Sequence, residues 1–350
     1  MEDELYMRRC FELAQKGIGN VAPNPMVGAV IVHQGKIIGE GYHMKWGGPH
    51  AEVNAIASVQ DPTLLKESTI YVSLEPCSHY GKTPPCAKLI LEKGIPEVVV
   101  SNKDPFPEVS GRGIRMLQEG GVKVRTGLLE EEGWLVNRRF FTFHEQKRPF
   151  VILKWAQSED GFMDQPRGDG QAAYRFSNET TQRISHQLRA NEAAILVGTR
   201  TALLDNPSLT VRHVIGNNPT RILIDRRLSV PNDYHLYDGE APTLVFTEAK
   251  PAFSAPNTEF VNTPFEGGKL SVPTLLHELY ERNLQSLIVE GGSATLHSFI
   301  ESGLWDEMHV EVVAGLQLKE GTAAPERAGK LFEQVGEGEH VICRYRKEEN

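Results

Sequence analysis

From Glu4 to Gln15 the apolar residues Tyr6, Cys10, Leu13 and Ala14 recur at helical spacing and Gly17 follows as a terminator, which predicts an amphipathic helix. Met26 to Val32, a Gln34-Gly35 turn and Lys36 to Gly39 read as two strands joined in a hairpin. Helical spacing returns over Ala51 to Ser58, which puts His50-Ala51-Glu52 at a helix N-terminus. Pro84-Pro85 ahead of Cys86 to Leu91 predicts a further helix beginning at Cys86, because proline suits the first turn. Ser68 to Leu74, Glu97 to Val100 and Val122 to Thr126 are strand candidates. The alternation predicts an α/β layered domain.

Glu130 to Phe143 reads as helix, and the polar cluster His144 to Pro149 then breaks the pattern. The boundary is expected there, giving domains 1–146 and 147–350. A strand starts at Phe150 to Lys154, and the apolar runs Ala193 to Val197, Arg221 to Ile224, Thr243 to Phe246 and Leu287 to Val289 recur with helical intervals between them. This predicts a second α/β domain, mostly parallel at its centre. The chain has 350 residues, 40% of them hydrophobic, which is material for two ordinary domains with substantial cores. No repeat of fixed period stands out, which disfavours a solenoid.

The formal net charge of -9 argues against a surface coated with nucleic acid, while a local basic pocket remains compatible with a small phosphorylated substrate. The chain opens Met1-Glu2-Asp3-Glu4, acidic rather than basic and apolar, and no apolar run approaches a membrane span. Of its four cysteines, Cys10 and Cys343 belong to no framework pattern. A reducing, cytoplasmic location is expected, with neither membrane nor nucleic acid as partner. Nothing in the residues speaks against a homo-oligomer.

The chemistry is concentrated between His50 and Cys86. His50-Ala51-Glu52 is followed by Glu75-Pro76-Cys77 and by Pro84-Pro85-Cys86. One imidazole and two thiolates satisfy three corners of the tetrahedron that zinc prefers, and a catalytic site leaves the fourth to water. Zinc lowers the pKa of that water to about 7. A proton must then travel from the attacking water to a departing amine, and Glu52 is placed to carry it. This is the division of labour of zinc deaminases, whose signature is H-x-E followed by P-C-x-x-C. The second half departs here: eight residues, 78–85, separate Cys77 from Cys86, so the insertion must loop out and return the second thiol. The competing readings are a structural zinc pair and buried inert thiols.

In its longer form the motif, H-A-E with E-P-C-S-H-Y-G-K-T-P-P-C, resembles the bifunctional deaminase/reductase family of riboflavin biosynthesis. The resemblance implies a cytidine-deaminase-like three-layer α/β/α fold for the first domain. It also implies that Asn24, between Pro23 and Pro25, and His43 face a pyrimidine, with His79 and Lys82 on the substrate-facing loop between the cysteines. Read from the residues alone, Asn24 is a turn former and Lys82 a solvated lysine.

Two features of the second domain carry chemistry. Glu290-Gly291-Gly292-Ser293 follows a strand candidate and precedes the helical Ala294 to Ile300, so amides at a helix N-terminus can receive a phosphate. The plainer reading is a tight turn, since this is not the G-x-G-x-x-G fingerprint. Asp205-Asn206-Pro207-Ser208-Leu209-Thr210-Val211-Arg212 reads by itself as an Asn-Pro turn with a surface arginine. Taken in order with L-K-W-A-Q-S-E-D-G at Leu153, L-R-A at Leu188, I-L-V-G at Ile195 and Thr201, these runs are similar to the reductase half of the same family.

That resemblance implies a dihydrofolate-reductase-like α/β fold with NADPH as hydride donor. Arg189, Arg212 and Glu290 would hold the phosphorylated substrate, with Asp205 and Leu209 beside the reacting groups. Ala156, Arg175, Thr201, Asp205 and the run Gly292, Ser293, Ala294, Thr295, Leu296, His297 and Ser298 would meet the cofactor. Arginine suits phosphate because its planar fork binds in bidentate fashion and keeps its charge. Two departures stand out. Arg175-Phe176-Ser177-Asn178 replaces the family's W-I-T-S run, and Gly315 to Gly321 lacks the proline-led, double-glycine ending.

The reading implied is zinc-dependent deamination of 2,5-diamino-6-ribosylamino-4(3H)-pyrimidinone 5′-phosphate, then NADPH-dependent reduction of the ribosyl group of the product to ribityl. A nucleic-acid base deaminase is one rival, and it leaves the second half unexplained. A structural zinc protein with a nucleotide-sensing domain is another, and it has no use for Glu52.

Overall fold

Buried side chains alternate between two faces along the first strands, and both faces are covered by helices. The computed structural model describes residues 2–78, 84–106, 110–167 and 171–348. The chain divides into two units, Met1–Lys147 and Arg148–Asn350.

In chain order the first unit contains α1 (Glu2–Gln15), β1 (Gly28–His33), β2 (Lys36–Tyr42), α2 (Ala51–Ala57), β3 (Thr69–Leu74), α3 (Cys86–Lys93), β4 (Glu97–Asn102), α4 (Arg112–Glu119), β5 (Lys123–Thr126), α5 (Glu130–Val136) and α6 (Arg138–Gln146). The strands form one five-stranded sheet in the order β2-β1-β3-β4-β5. The β1–β2 hairpin and the β1–β3 pair are antiparallel, and β3, β4 and β5 run parallel. Period two fills both faces. Ala29 and Ile31 of β1 join Ala55, Ile90 and Leu117 in one core, whereas Val30 and Val32 join Met7, Phe11 and Leu13 of α1 in another. The result is the expected α/β/α sandwich. The helix expected over Glu130 to Phe143 is instead two helices with Asn137 between them.

The second unit contains β6 (Phe150–Ser158), β7 (Phe162–Asp164), α7 (Glu179–Asn191), β8 (Ala194–Gly198), α8 (Thr199–Asp205), β9 (Thr220–Ile224), β10 (Thr243–Thr247), β11 (Thr258–Asn262), α9 (Val272–Glu281), β12 (Ser286–Val289), α10 (Ser293–Ser302), β13 (Glu307–Val313), β14 (Thr322–Ala323), β15 (Lys330–Glu337) and β16 (His340–Arg346). Its nine-stranded sheet has the order β11-β10-β9-β8-β12-β6-β13-β16-β15. Pairing is parallel from β11 to β13 and antiparallel at β13–β16 and β16–β15. Central strands buried on both faces read as continuous apolar runs, which is why β6, β8, β9, β10 and β12 are legible as strands. The edge strand β15 is largely exposed and has no such run. Among the described residues, no helix is long and apolar enough to cross a membrane.

Candidate active site

In the first unit two helix starts converge. His50 is the N-cap of α2, and Cys86 opens α3 directly after Pro85, as expected from the proline pair. Cys77 follows β3, and its sulfur and carbonyl accept from the first N–H groups of α3, Cys86 N at 3.3 Å and Ala87 N at 3.1 Å. Those are donors that a helix N-terminus leaves without an internal partner, so the thiolate of Cys77 and the helix stabilise one another.

His50 Nδ1 lies 3.6 Å from Cys77 Sγ and 3.4 Å from Cys86 Sγ. A tetrahedral zinc, with bonds of about 2.3 Å to sulfur and 2.0–2.1 Å to nitrogen, separates those atoms by about 3.6 Å. The donor set therefore fits zinc, through Nδ1 of the imidazole. Among the described residues these three are the cluster of His, Cys, Asp and Glu able to hold a metal ion, with all ligand atoms within 4.8 Å of one another, and Glu52 is outside it. Cys86 and His50 hold the Cys77 thiol down to about 4, while the Cys77 sulfur and burial push Cys86 up. A zinc ion held here would bind both sulfurs as thiolates, with release of the remaining thiol proton. Glu52, 3% exposed, is pushed up to about 7, chiefly by burial and then by the Cys77 charge. A carboxyl group tuned there both gives and takes a proton near neutrality.

Asn24 and His43, the two residues that the resemblance sets against a pyrimidine, lie in contact with one another. Asn24 Nδ2 is 3.2 Å from His43 Nε2, and His43 Nδ1 is 3.0 Å from the Pro49 carbonyl. A carbonyl only accepts, so the ring proton sits on Nδ1 and Nε2 accepts from the Asn24 amide. Burial pushes the His43 pKa down, which keeps the ring neutral. Its ring meets that of His50 edge-on at 5.4 Å. His79 and Lys82 lie outside the described residues.

Glu75, part of the E-P-C run, has a structural task that the motif alone did not reveal. Its carboxylate accepts from the backbone N–H groups of Gly111 at 2.9 Å and Gly113 at 3.0 Å, and from Asp104 and Ile114 at 3.3 Å. A Cβ at Gly113 would stand 1.9 Å from the Pro76 carbonyl oxygen, so α4 approaches the Cys77 turn only because that position is glycine.

In the second unit a cavity of about 1020 Å³ is lined by Thr201, Asp205, Glu290, Gly292, Ser293, Ala294, Thr295 and Ser298, all expected site residues. It sits where β8 and β12 end and α8 and α10 begin, at the C-terminal edge of the parallel strands, where such sheets hold ligands. Thr201 Oγ1 accepts from Gly292 N at 3.0 Å, which ties the two starts together. Apolar Ile224, Phe265, Leu270, Val272 and Leu275 also line it. Shape, apolar wall and helix-start amides fit a dinucleotide.

Arg189 reaches this cavity through Glu290, which it pairs at 2.6 Å, and Lys154 lies 3.7 Å from the same carboxylate. Burial alone would raise the Glu290 pKa, but the Arg189 and Lys154 charges outweigh it and hold the group down to about 2. Arg212 N donates to His186 Nδ1 at 3.0 Å, and its Nη1 is 3.4 Å from Thr210 Oγ1. His186, held down to about 4 chiefly by burial, is the neutral acceptor that this bond requires. Asp205 is paired at 2.8 Å with Arg167, which also pairs with Asp164 at 2.5 Å.

The other expected residues stand outside the lining of this cavity. Leu209 is buried with a φ of 53°, and Leu296 is fully buried in the core. His297 is exposed, with its ring on the Ser293 carbonyl at 2.8 Å. Arg175 is exposed, and Ala156 is half-buried on β6 opposite Glu311. Lys154, Arg167 and His186 are the site neighbours that sequence reasoning passed over. Lys154 was within reach, standing inside the L-K-W-A-Q-S run.

Comparison with known proteins matches this geometry. Residues 1–102 match the cytidine and deoxycytidylate deaminase zinc-binding region, and residues 149–316 match the RibD C-terminal domain. The riboflavin biosynthesis protein RibD of Bacillus amyloliquefaciens is 38% identical over 351 residues, 97% of this chain and 91% of its own. That of Aquifex aeolicus is 39% identical, over 88% of this chain and 86% of its own. The crystal structure of a diaminohydroxyphosphoribosylaminopyrimidine deaminase/5-amino-6-(5-phosphoribosylamino)uracil reductase from Thermotoga maritima superposes with a TM-score of 0.88 at 36% identity, covering 99% of each chain. Both halves, and their order, are thus those of one kind of protein: the chain belongs to the RibD family of bifunctional deaminase/reductases of riboflavin biosynthesis.

Proposed function

We propose that the first unit removes the ring amine of 2,5-diamino-6-ribosylamino-4(3H)-pyrimidinone 5′-phosphate as ammonia, and that the second reduces the ribosyl group of 5-amino-6-(5-phosphoribosylamino)uracil to ribityl with hydride from NADPH. The observation that carries the first half is a buried Glu52, pushed up to about 7, beside a His50, Cys77, Cys86 donor set that it does not join. A structural site would need a fourth protein ligand, and a spare carboxylate would have no task there. Zinc held by these three residues supplies activation of water at neutral pH. Glu52 takes the proton released as water adds to the ring carbon and delivers it to the amine as the C–N bond breaks. Asn24 and neutral His43 orient the pyrimidine, with His79 and Lys82 as further substrate contacts.

In the second unit NADPH supplies the hydride, and the cavity edged by Thr201 and the first turn of α10 receives it. Arg189, Arg212 and Glu290 hold the phosphorylated substrate, and Asp205 and Leu209 stand near the reacting sugar. Of the expected cofactor contacts, Ala156, Arg175, Leu296 and His297 stand outside the cavity lining. The division of the chain near Lys147 supports a boundary between the activities at 146/147.

Metal analysis with an ammonia-release assay tests the reading. The full chain should hold about one zinc and release ammonia from the free pyrimidine nucleotide but not from RNA, and a Cys77→Ser, Cys86→Ser double variant should lose both zinc and ammonia release. Zinc retained in that variant overturns the ligand assignment; deamination of RNA in preference to the nucleotide overturns the substrate.

A further inference from the structure

We infer that Asn137 is a positioning residue for deamination: from the break between α5 and α6 it sets the loop that presents Asn24 beside the zinc ligands. This rests on the reading of Asn24 as a pyrimidine contact.

The Pro23-Asn24-Pro25 loop is poorly equipped to hold itself. Two of its residues have no N–H to donate, and β1 begins only at Gly28. Asn24 N donates to the Val21 carbonyl at 2.9 Å. On the other side of Pro25, the side-chain amide of Asn137 takes over. Its Oδ1 accepts from Met26 N at 2.8 Å and its Nδ2 donates to the Met26 carbonyl at 2.7 Å. This is the paired exchange that a neighbouring strand residue would make, supplied by a side chain 111 positions away.

Asn137 forgoes another task to do this. It occupies the N-cap of α6, where an asparagine side chain ordinarily bonds the next turn, yet it makes no such cap. Its backbone serves both helices, accepting from Phe141 N at 3.0 Å and donating to the Gly133 carbonyl at 3.3 Å. At 3% exposure the amide is shielded from water, so losing it leaves both groups of Met26 short of a partner. From Met26 the connection to the site is short. Val27 O accepts from His43 N at 2.9 Å, and the Asn24 amide reaches the ring of that histidine. His43 is also held by the Pro49 carbonyl at 3.0 Å, so a loop shifted by an ångström misplaces Asn24 against that ring, an error that costs up to a hundred-fold in rate.

The test is a double-mutant cycle in the zinc-loaded full chain with Asn24→Ala, Asn137→Ala and both changes together. Ammonia release is resolved into kcat and KM, alongside zinc content and reduction of pre-deaminated substrate. Asn137→Ala should lower kcat/KM for deamination roughly ten- to a hundred-fold, with zinc content and reduction unchanged. The double variant should be no worse than Asn24→Ala alone, because a residue acting through Asn24 has nothing left to act on. Asn137→Asp, which keeps the acceptor for Met26 N–H and loses the donor, should fall between, and it carries the cycle if the alanine variant does not fold. Additive losses, or full deamination in Asn137→Ala, overturn the inference while leaving Asn24 in place. A silent Asn24→Ala overturns the pyrimidine contact and the inference with it.

Discussion

Arg189 and Glu290 form a bidentate pair at the edge of the reductase cavity, with Nη2 2.6 Å from Oε2 and Nε 3.3 Å from Oε1. Arg189 also donates from Nη1 to the Thr210 carbonyl at 3.3 Å, so most of its fork is engaged within the protein. Among the described residues the Arg212 guanidinium has only the Thr210 hydroxyl within hydrogen-bonding distance, at 3.4 Å, and its charge is the freer of the two. The two arginines are therefore expected to fail differently. Arg212→Ala should mainly raise the KM for the phosphorylated substrate, by a factor equivalent to about 1.5–3 kcal/mol. Arg189→Ala should do this and also destabilise the unit, by less than the roughly 3–5 kcal/mol of a wholly unpaired buried charge, since the Glu290 carboxylate keeps only Lys154 at 3.7 Å. Denaturant titration beside steady-state kinetics checks both, and NADPH affinity should be unchanged in each. Loss of NADPH binding with an unaltered substrate KM would mean that the two pockets have been exchanged.

The same pair carries a pH signature. Glu290 is held down to about 2 in the folded chain against an ordinary 4.5, so the unfolded chain binds the proton first as the solution is acidified. Its contribution to stability is complete above pH 4.5 and disappears as the pH falls toward 2. The difference in Tm between the native chain and Glu290→Gln should be constant from pH 5.5 to 7 and should narrow below 4.5. A difference that stays flat across that range contradicts the assignment.

Glu52→Gln should keep zinc and lose ammonia release by roughly a hundred- to ten-thousand-fold, the scale for losing a positioned acid/base. Glutamine preserves the size of the group and removes its ability to take up and release a proton near neutrality. Reduction of pre-deaminated substrate should persist. Near-normal ammonia release from the zinc-loaded variant would remove Glu52 from the mechanism.

Asp205→Asn should lower the turnover of reduction more than it weakens binding, as expected for a group whose interaction strengthens in the transition state. Arg167 is the control, because it pairs Asp205 at 2.8 Å. Arg167→Ala should produce a smaller loss of kcat than Asp205→Asn. Equal losses in the two variants would show that the pair acts only as a unit.

Much of this protein was legible before its structure. Local rules decided α1, the β1–β2 hairpin and the start of α3 at Cys86, because apolar period, turn residues and proline placement act over a few positions. The His50, Glu52, Cys77 and Cys86 constellation was legible for a different reason: metal chemistry admits few residue types, and the spacing narrowed them further. The helix expected over Glu130 to Phe143 failed at Asn137. Nothing nearby in the chain says that this side chain is needed by Met26.

What the sequence by itself determined was the set of chemical groups and the local elements that carry them. Only the tertiary structure decided which of those groups meet. The amide of Asn137 at Met26, the Glu75 carboxylate under α4, Lys154 beside Glu290 and Arg167 on Asp205 all join residues distant along the chain. Polar groups buried by folding must find partners wherever the packed chain brings them, since an unpaired one costs about 1–3 kcal/mol. Periodicity and propensity describe a residue's neighbours in sequence, and so they have no access to that choice.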